Sequence, residues 1–230
     1  NCHVVSNGVD AGPFADALRH FAKTAKKPFT LCYCGSIGAQ YRLPEMLDIA
    51  CKMKTQIPEL QFRLFSQYQD VVQRALEDKG LHEESWIDCN AVPSEKVPEE
   101  LVQCDLGIAL REPLFSTQAI LPIKLGEYLL AGLPVIGTPG VGNTEQLSEF
   151  GVFRSAGTDN LEETLSWVIN EVLPNRALMR EKSHAAGKKY FSLKSTVDSY
   201  VAALSSISKR SDSFDGQGHE MAEQSIANDR

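Results

Sequence analysis

Short apolar runs alternate with amphipathic stretches along most of the chain, and this alternation predicts strands that are followed by helices. The apolar runs have strand length, and the stretches between them place apolar residues near helical spacing. This order is typical of a parallel sheet that helices cover on both faces. The predicted strands are Thr30–Cys34, Gln61–Phe65, Trp86–Cys89, Asp105–Leu110 and Pro134–Gly137. The predicted helices between them are Pro44–Lys54, Gln69–Lys79, one that starts between 94 and 98, and Ile123–Ala131.

The last third of the chain departs from this alternation, because three helical stretches follow with no strand predicted between them. The segment 208–230 is rich in Ser, Asp, Gly and Gln and lacks apolar periodicity, so we expect it to be disordered. The sequence therefore predicts an α/β, Rossmann-like domain at 15–207 that ends in extra helices, with a linker or domain start at 1–14. The three helical stretches are Asn160–Val172, Arg176–Lys189 and Leu193–Ile207.

Composition places the 230-residue chain among ordinary globular proteins, with 43% apolar and 23% charged residues. Its net charge of −7 argues against a nucleic-acid partner, because neutralising phosphates requires concentrated positive charge. The apolar runs are far shorter than the roughly 20 residues that cross a bilayer, and no signal-peptide pattern opens the chain. We expect a cytoplasmic protein without a membrane span.

The six cysteines are scattered, which favours a reducing compartment over a disulfide framework. Cys32 and Cys34 lie two positions apart on a predicted strand, so both are expected to point to the same face as small buried hydrophobes. Metal or redox chemistry is the alternative interpretation. It is disfavoured because no second Cys/His pair with ligand spacing follows.

Ligands of open parallel sheets bind beyond the carboxyl ends of the strands, and four predicted loops lie there. In the first loop, Gly35, Ser36 and Gly38 let the backbone approach an anion, and Arg42 follows. The spacing matches neither the dinucleotide fingerprint nor the P-loop, which disfavours nicotinamide cofactors and P-loop hydrolysis. A plain turn is the alternative. The four loops are 35–42, 90–96, 111–119 and 137–145.

The segment 122–147, PIKLGEYLLAGLPVIGTPGVGNTEQL, carries a more specific pattern. Pro122 can start a helix, and Glu127 falls one to two turns into it. A carboxylate at that place could accept two hydrogen bonds from the cis-diol of a ribose. A solvated helix glutamate is the alternative, and the surrounding glycines at 132, 137, 140 and 142 favour the ribose contact.

The pattern P-x-K-L-x-E-Y-L-x-A-G-L-P-V-I, followed by G-V-G-N-T-E, resembles the signature of family 4 glycosyltransferases. These are retaining enzymes of the two-domain GT-B fold. The opening V-V-S-N-G-V-D resembles the passage from the N-terminal to the C-terminal domain of such chains, and the resemblance covers residues 4–207. It implies that this chain is the C-terminal half, which binds a UDP- or GDP-sugar as donor.

The resemblance implies a role for each matching position. Glu127 matches the second glutamate of the E-x7-E motif, which holds the ribose hydroxyls of the nucleotide. Ser36 and Arg42 occupy the places of a basic pair on the diphosphate, so Arg42 keeps one charge and Ser36 lacks the other. The catalytic candidates are Arg42 and Glu127. The nucleotide base would stack near 90–92, and amides around 117–118 would meet the phosphates and the sugar. The expected donor contacts are Gly35, Ser36, Gly38, Arg42, Asn90, Ala91, Val92, Thr117, Gln118, Ala119, Lys124, Leu125 and Glu127.

The mechanism implied by the resemblance is front-face transfer with retained anomeric configuration. The leaving nucleoside diphosphate would be stabilised by Arg42, backbone amides and a helix N-terminus, without a metal or another cofactor. The acceptor site would lie in a missing N-terminal domain, through which peripheral membrane association could occur. We therefore expect this chain alone to bind a nucleotide but not to catalyse sugar transfer.

The sequence departs from the motif at Ala119, which stands where the first glutamate of E-x7-E is expected. A carboxylate that normally touches the donor sugar is then missing, and Glu112 is out of register with it. A noncatalytic sugar-nucleotide-binding module is therefore an alternative function. A sugar-nucleotide epimerase of the same fold is a weaker one, because no histidine lies in the four loops.

Overall fold

The computed structural model describes residues 7–21, 28–112, 114, 122–141, 144–156 and 160–206. Within these residues, six strands form one sheet in the order β3-β2-β1-β4-β5-β6, and every neighbouring pair is parallel. This is the strand order of a doubly wound, Rossmann-like sheet. The strands are β1 (Thr30–Cys34), β2 (Gln61–Phe65), β3 (Ile87–Asn90), β4 (Leu106–Ala109), β5 (Val135–Gly137) and β6 (Phe153–Ser155).

The central strand β1 is buried over its whole length. Leu31 and Tyr33 join the core on one face of the sheet, and Cys32 and Cys34 join the core on the other. Successive residues of a strand point to opposite faces, which produces this division. The prediction that the two cysteines share a buried face is confirmed.

Helices cover both faces of the sheet because parallel strands need crossover connections. The core on the Tyr33 face is completed by α2, α3 and α7, and the core on the Cys32 face by α1, α4, α5 and α6. The eighth helix contributes to both cores through Met179 and Ala186. The helices are α1 (Gly12–His20), α2 (Leu43–Gln56), α3 (Gln69–Asp78), α4 (Val97–Leu101), α5 (Ile123–Leu130), α6 (Thr144–Glu149), α7 (Leu161–Trp167), α8 (Arg176–Tyr190) and α9 (193–206). A π-helical turn at Val168–Val172 extends α7.

The fold class predicted from the hydrophobic pattern is confirmed. The bounds of β1 and β2 agree with the prediction, and the other predicted strands and helices are found within a few residues of their expected ends. Three elements were not predicted: α1, α6 and β6. Six residues for α6 and three for β6 are shorter than the window in which periodicity can be recognised. In α1, only Phe14 and Ala17 are buried, so the apolar stripe is weak.

The expected disordered tail at 208–230 lies outside the described residues, and so do the first six residues of the expected linker. The rest of that linker leads into α1, which begins at Gly12. In the part of the chain that the structure describes, the helices lack the length and hydrophobicity that a bilayer crossing requires.

Candidate functional site

The candidate site lies where β1 and β4 are neighbours in the sheet. The chain continues outward from β1 to β2 and β3 on one side, and from β4 to β5 and β6 on the other. The connections that leave β1 and β4 therefore diverge, and they open a crevice at the carboxyl ends of these two strands. Doubly wound sheets bind ligands at such a switch point.

Helix α5 is fixed at this crevice by Tyr128. The phenol oxygen of Tyr128 accepts a hydrogen bond of 2.7 Å from the backbone N–H of Cys34, and its hydroxyl lies 3.4 Å from the carbonyl oxygen of Ile108. The ring rests on β4, where a Cβ at Gly107 would come within 2.5 Å of it. Glycine at 107 thus lets the helix approach the sheet closely, with Lys124 and Glu127 at the crevice.

On the side of β2 and β3, the crevice contains a cleft of about 310 Å³, the β1–β3 cleft. Glu127 forms part of its wall, and Gly35 and Ser36 lie across from the helix on the loop that follows β1. Burial raises the pKa of Glu127, and the nearby Lys124 opposes this shift. The cleft is lined by Cys34, Gly35, Ser36, Phe65, Ser66, Gln67, Tyr68, Val92, Ser94, Val97 and Glu127.

The loop after β1 turns sharply beside α5. Gly35 has φ of 132°, a conformation that favours glycine, and a Cβ there would lie 3.3 Å from Nζ of Lys124. The hydroxyl of Tyr33 donates a short hydrogen bond to the carbonyl oxygen of Ser36. Gly38 faces open space, since no atom lies within 4 Å of a Cβ built on it. The structure therefore brings Gly35 and Ser36 to the site that the sequence predicted.

Lys124 occupies an aromatic environment at the centre of the crevice. Its Nζ donates a 2.8 Å hydrogen bond to the hydroxyl of Tyr33. The same atom lies 4.2 Å from the ring centroid of Tyr33 and 4.4 Å from that of Tyr41. The pKa of Lys124 is lowered from 10.5 to about 7, mainly by burial. The guanidinium of Arg111 contributes to this shift, and Cys34 and Glu127 oppose it.

Arg42 stands at the end of the same loop, with a left-handed backbone at φ of 42°. Its side chain is engaged with two carboxylates. The guanidinium forms an ion pair of 3.1 Å with Glu45, one turn into α2, and a longer one of 3.7 Å with Glu112. Arg42 is thus close to the loop after β4, and its charge is already balanced by neighbouring side chains.

Arg111 is a cation of the site that sequence reasoning missed. It lies two residues past the end of β4, and its guanidinium is 5.1 Å from the ring centroid of Tyr41. The hydroxyl of Thr138 fixes its backbone, because it accepts a hydrogen bond from the Arg111 N–H and donates one to the Arg111 carbonyl. The available signal was weak: Arg111 opens one of the four candidate loops, but only the fold brings it to Tyr41.

A narrow cavity of about 20 Å³, the β4–β5 cavity, lies on the other side of Lys124. Both Lys124 and Arg111 line it, together with Tyr41 and Thr138. Leu125 also borders this cavity, but it is only 3% exposed and packs in the core. A donor contact through the Leu125 side chain would therefore be small.

Of the three positions expected to meet the nucleotide base, the structure places one at the cleft and two outside it. Val92 lines the β1–β3 cleft, whereas Asn90 and Ala91 are exposed and outside its lining. The side-chain amide of Asn90 donates a 2.7 Å hydrogen bond to Asp88. The sequence did not indicate Tyr68, which is 47% exposed and borders the cleft on the loop after β2.

Three predicted donor contacts, Thr117, Gln118 and Ala119, lie outside the described residues. Among the residues that are described, no three His, Cys, Asp or Glu side chains come together as a group that could hold a metal ion.

No protein-family model and no curated protein sequence matches the chain. Its fold, however, matches solved glycosyltransferases of the GT-B fold. HepE from Anabaena, solved with UDP and glucose, gives a TM-score of 0.61 at 18% identity over 88% of this chain and 56% of HepE. The pneumococcal O-GlcNAc transferase GtfA, solved with UDP and GlcNAc, gives 0.56 at 13% identity over 90% of this chain and 38% of GtfA.

WaaG, a glycosyltransferase involved in lipopolysaccharide biosynthesis, gives a TM-score of 0.56 at 14% identity over 80% of this chain and 51% of WaaG. At these identities the likeness concerns the fold. The chain spans about half, or less, of the length of each of these structures.

Proposed function

We propose that the chain is the C-terminal, donor-binding half of a family 4 retaining glycosyltransferase. It would bind a UDP- or GDP-sugar, from which the complete enzyme transfers the sugar to an acceptor with retained anomeric configuration. The observation that carries the proposal is the position of Glu127 on the wall of the β1–β3 cleft, at the switch point of the sheet. Two proteins of the same fold, HepE and GtfA, were solved with UDP.

Glu127 is proposed to hold the ribose of the nucleotide. The two oxygens of its carboxylate can accept hydrogen bonds from the 2′- and 3′-hydroxyls. Burial raises the pKa of Glu127 because the charged form is poorly solvated there, so hydroxyl donors from a ligand would supply the hydrogen bonds that the charged form needs. The glycine-containing loop at Gly35 and Ser36 lies on the same cleft, and it is proposed to meet the phosphates attached to that ribose.

The acceptor site is proposed to lie in another polypeptide segment. The chain covers 56% of HepE and 38% of GtfA, so the remaining part of each matched structure has no counterpart here. In the proposed enzyme, that other half binds the acceptor and supplies any catalytic base. No other cofactor is part of the proposal.

The ribose contact can be tested by titrating the chain with UDP, GDP and the 2′-deoxy analogue of the better ligand. We expect the wild type to prefer the ribonucleotide, and Glu127→Ala to weaken its binding about tenfold or more. In this variant the ribose and deoxyribose ligands should bind equally, because the group that distinguishes them is gone.

Glu149→Ala is the matched control, since Glu149 is an exposed glutamate on α6 and lies outside the cleft lining. It should retain both the affinity and the preference. The proposal is overturned if neither UDP nor GDP binds the wild type, or if Glu127→Ala still discriminates between the two sugars.

A further inference from the structure

Among the described residues, three cations lie at the crevice, and they differ in which side chains already neutralise them. Arg42 pairs with Glu45 and Glu112. Within the described part of the chain, neither Lys124 nor Arg111 forms an ion pair with a carboxylate. A desolvated cation without a counter-charge is unfavourable, and an anionic ligand relieves that cost. The two unpaired cations are therefore the better candidates for binding an anion.

The ammonium of Lys124 is positioned beside the loop that follows β1. Tyr33 connects the two, because its hydroxyl accepts a hydrogen bond from Lys124 and donates one to the carbonyl of Ser36. The Lys124 Nζ would lie only 3.3 Å from a Cβ at Gly35. The structure thus places a cation from α5 at the loop where Ser36 itself carries no charge.

Arg111 keeps hydrogen-bond donors for a ligand. One Nη donates to the neutral side-chain oxygen of Gln40 at 3.1 Å. Its Nε is buried and has no acceptor among the described residues. The guanidinium of Arg111 and the Nζ of Lys124 lie 5.1 Å and 4.4 Å from the ring centroid of Tyr41, and both side chains line the β4–β5 cavity. An anion between them would satisfy both cations.

We infer that Lys124 and Arg111, instead of Arg42, hold the diphosphate of the donor nucleotide. This inference rests on the proposed function, since it assigns the anion contacts of the same site. Lys124 supplies from α5 the charge that Ser36 lacks on the loop after β1. The ring of Tyr41 positions both cations, and the ring and hydroxyl of Tyr33 position Lys124.

The assignment is tested by titrating Lys124→Met, Arg111→Met and Arg42→Met with UDP and with uridine. UDP affinity should fall about tenfold or more in the first two variants, because each loses a charge-assisted hydrogen bond. Uridine affinity should stay the same. Arg74→Met, on the exposed face of α3, is the control for loss of one positive charge.

The opposite ranking, in which Arg42→Met loses UDP and the other two variants retain it, would overturn this inference while the proposed function stands. Thermal unfolding of each variant in the absence of ligand identifies any variant that fails to fold. Should Lys124→Met do so, Lys124→Gln and Arg111→Met decide the same question.

Inorganic pyrophosphate separates this inference from the proposed function. If the wild type binds pyrophosphate but neither UDP nor GDP, and Lys124→Met abolishes that binding, the anion site is supported and the donor assignment fails. If the wild type binds neither pyrophosphate nor a nucleotide, both are overturned.

The pH dependence of UDP binding separates a binding role of Lys124 from a structural one, because a lysine that only packs would not make UDP affinity depend on its protonation. The groups that face Lys124 are Tyr33 and Cys34 on β1, Tyr41 before α2, Arg111 after β4, and Glu127 on α5. Since the pKa of Lys124 is about 7, affinity should fall above pH 7, by up to about tenfold per pH unit, because binding must then take up a proton.

Lys124→Arg should bind UDP with no such decline, since arginine stays charged. The terminal phosphate of UDP gains charge as pH rises, which alone predicts the opposite slope. A wild-type profile without a decline above pH 7 contradicts the role of Lys124.

Discussion

Lys124 illustrates a residue that costs stability where it is proposed to serve binding. Its ammonium is partly buried against Tyr33 and Tyr41, and burial holds its pKa near 7. Aromatic rings offset part of the lost hydration, but a carboxylate would offset more. In the free chain this side chain should therefore be less favourable than an uncharged one of similar length.

Replacing Lys124 by methionine should stabilise the chain in the absence of ligand, by about 1 kcal/mol. The pKa is lower in the folded chain, at about 7, than its ordinary value of 10.5. The cost of the charge is thus complete below pH 7 and disappears as pH rises toward 10.5. Urea unfolding of both proteins from pH 6 to 10 measures it: the advantage of Lys124→Met should shrink as pH rises. A variant less stable than wild type at pH 6 would contradict this account.

At the residue scale, the motif indicated Glu127 and Lys124 but not Arg111 or Tyr41. The first two lie three positions apart on one predicted helix, so sequence spacing alone places them near each other. Arg111 and Tyr41 are 70 residues apart in the chain, and no local pattern relates them. Likewise, the ion pairs of Arg42 with Glu45 and Glu112 could not be read from a motif that names Arg42 alone.

At the scale of elements, the site depends on how closely α5 packs between the sheet and α8. Glycines remove side chains at both contacts. A Cβ at Gly107 would strike the ring of Tyr128, and one at Gly187 on α8 would lie 2.7 Å from the backbone nitrogen of Leu130. The missing side chains let α5 approach both neighbours closely. The positions of Lys124 and Glu127 therefore depend on residues that lie outside the candidate site.

Gly187→Ala tests this dependence. Alanine in a helix interior ordinarily stabilises by about 1 kcal/mol relative to glycine. Here the added methyl group meets the backbone of α5, so we expect a destabilisation of about 1–3 kcal/mol and weaker UDP binding. Urea unfolding and UDP titration measure the two effects. Lys182→Ala, on the exposed side of α8, should change neither. A more stable Gly187→Ala variant would show that α5 and α8 can separate without cost.

At the scale of the whole molecule, the strand order creates the crevice, and the proposed function requires a second half beside it. The switch between β1 and β4 gathers the loops at 35–42 and 111–112 with α5. The chain spans 56% of the length of HepE. A complete donor site without an acceptor site is the expected consequence of the proposed function.

The 230-residue chain should accordingly bind UDP or GDP and transfer no sugar by itself. Incubation with a panel of UDP- and GDP-sugars and simple acceptors, followed by product analysis, checks this outcome. Transfer by the isolated chain would contradict it. If a longer polypeptide that includes an acceptor half binds the donor and still transfers no sugar, the noncatalytic sugar-nucleotide-binding function is favoured. Ala119→Glu is then the first substitution to test.

The sequence by itself determined the α/β class, most strands and helices, and the candidate role of Glu127, because periodicity and motifs are local properties of the chain. Only the tertiary structure decided how the charges at the crevice are distributed. It pairs Arg42 with Glu45 and Glu112, and it brings Arg111 and Lys124 to the same tyrosine, where neither forms an ion pair with a described carboxylate. The physical reason is that electrostatic partners are set by distance in space, and parallel crossovers bring together residues that lie far apart in the chain.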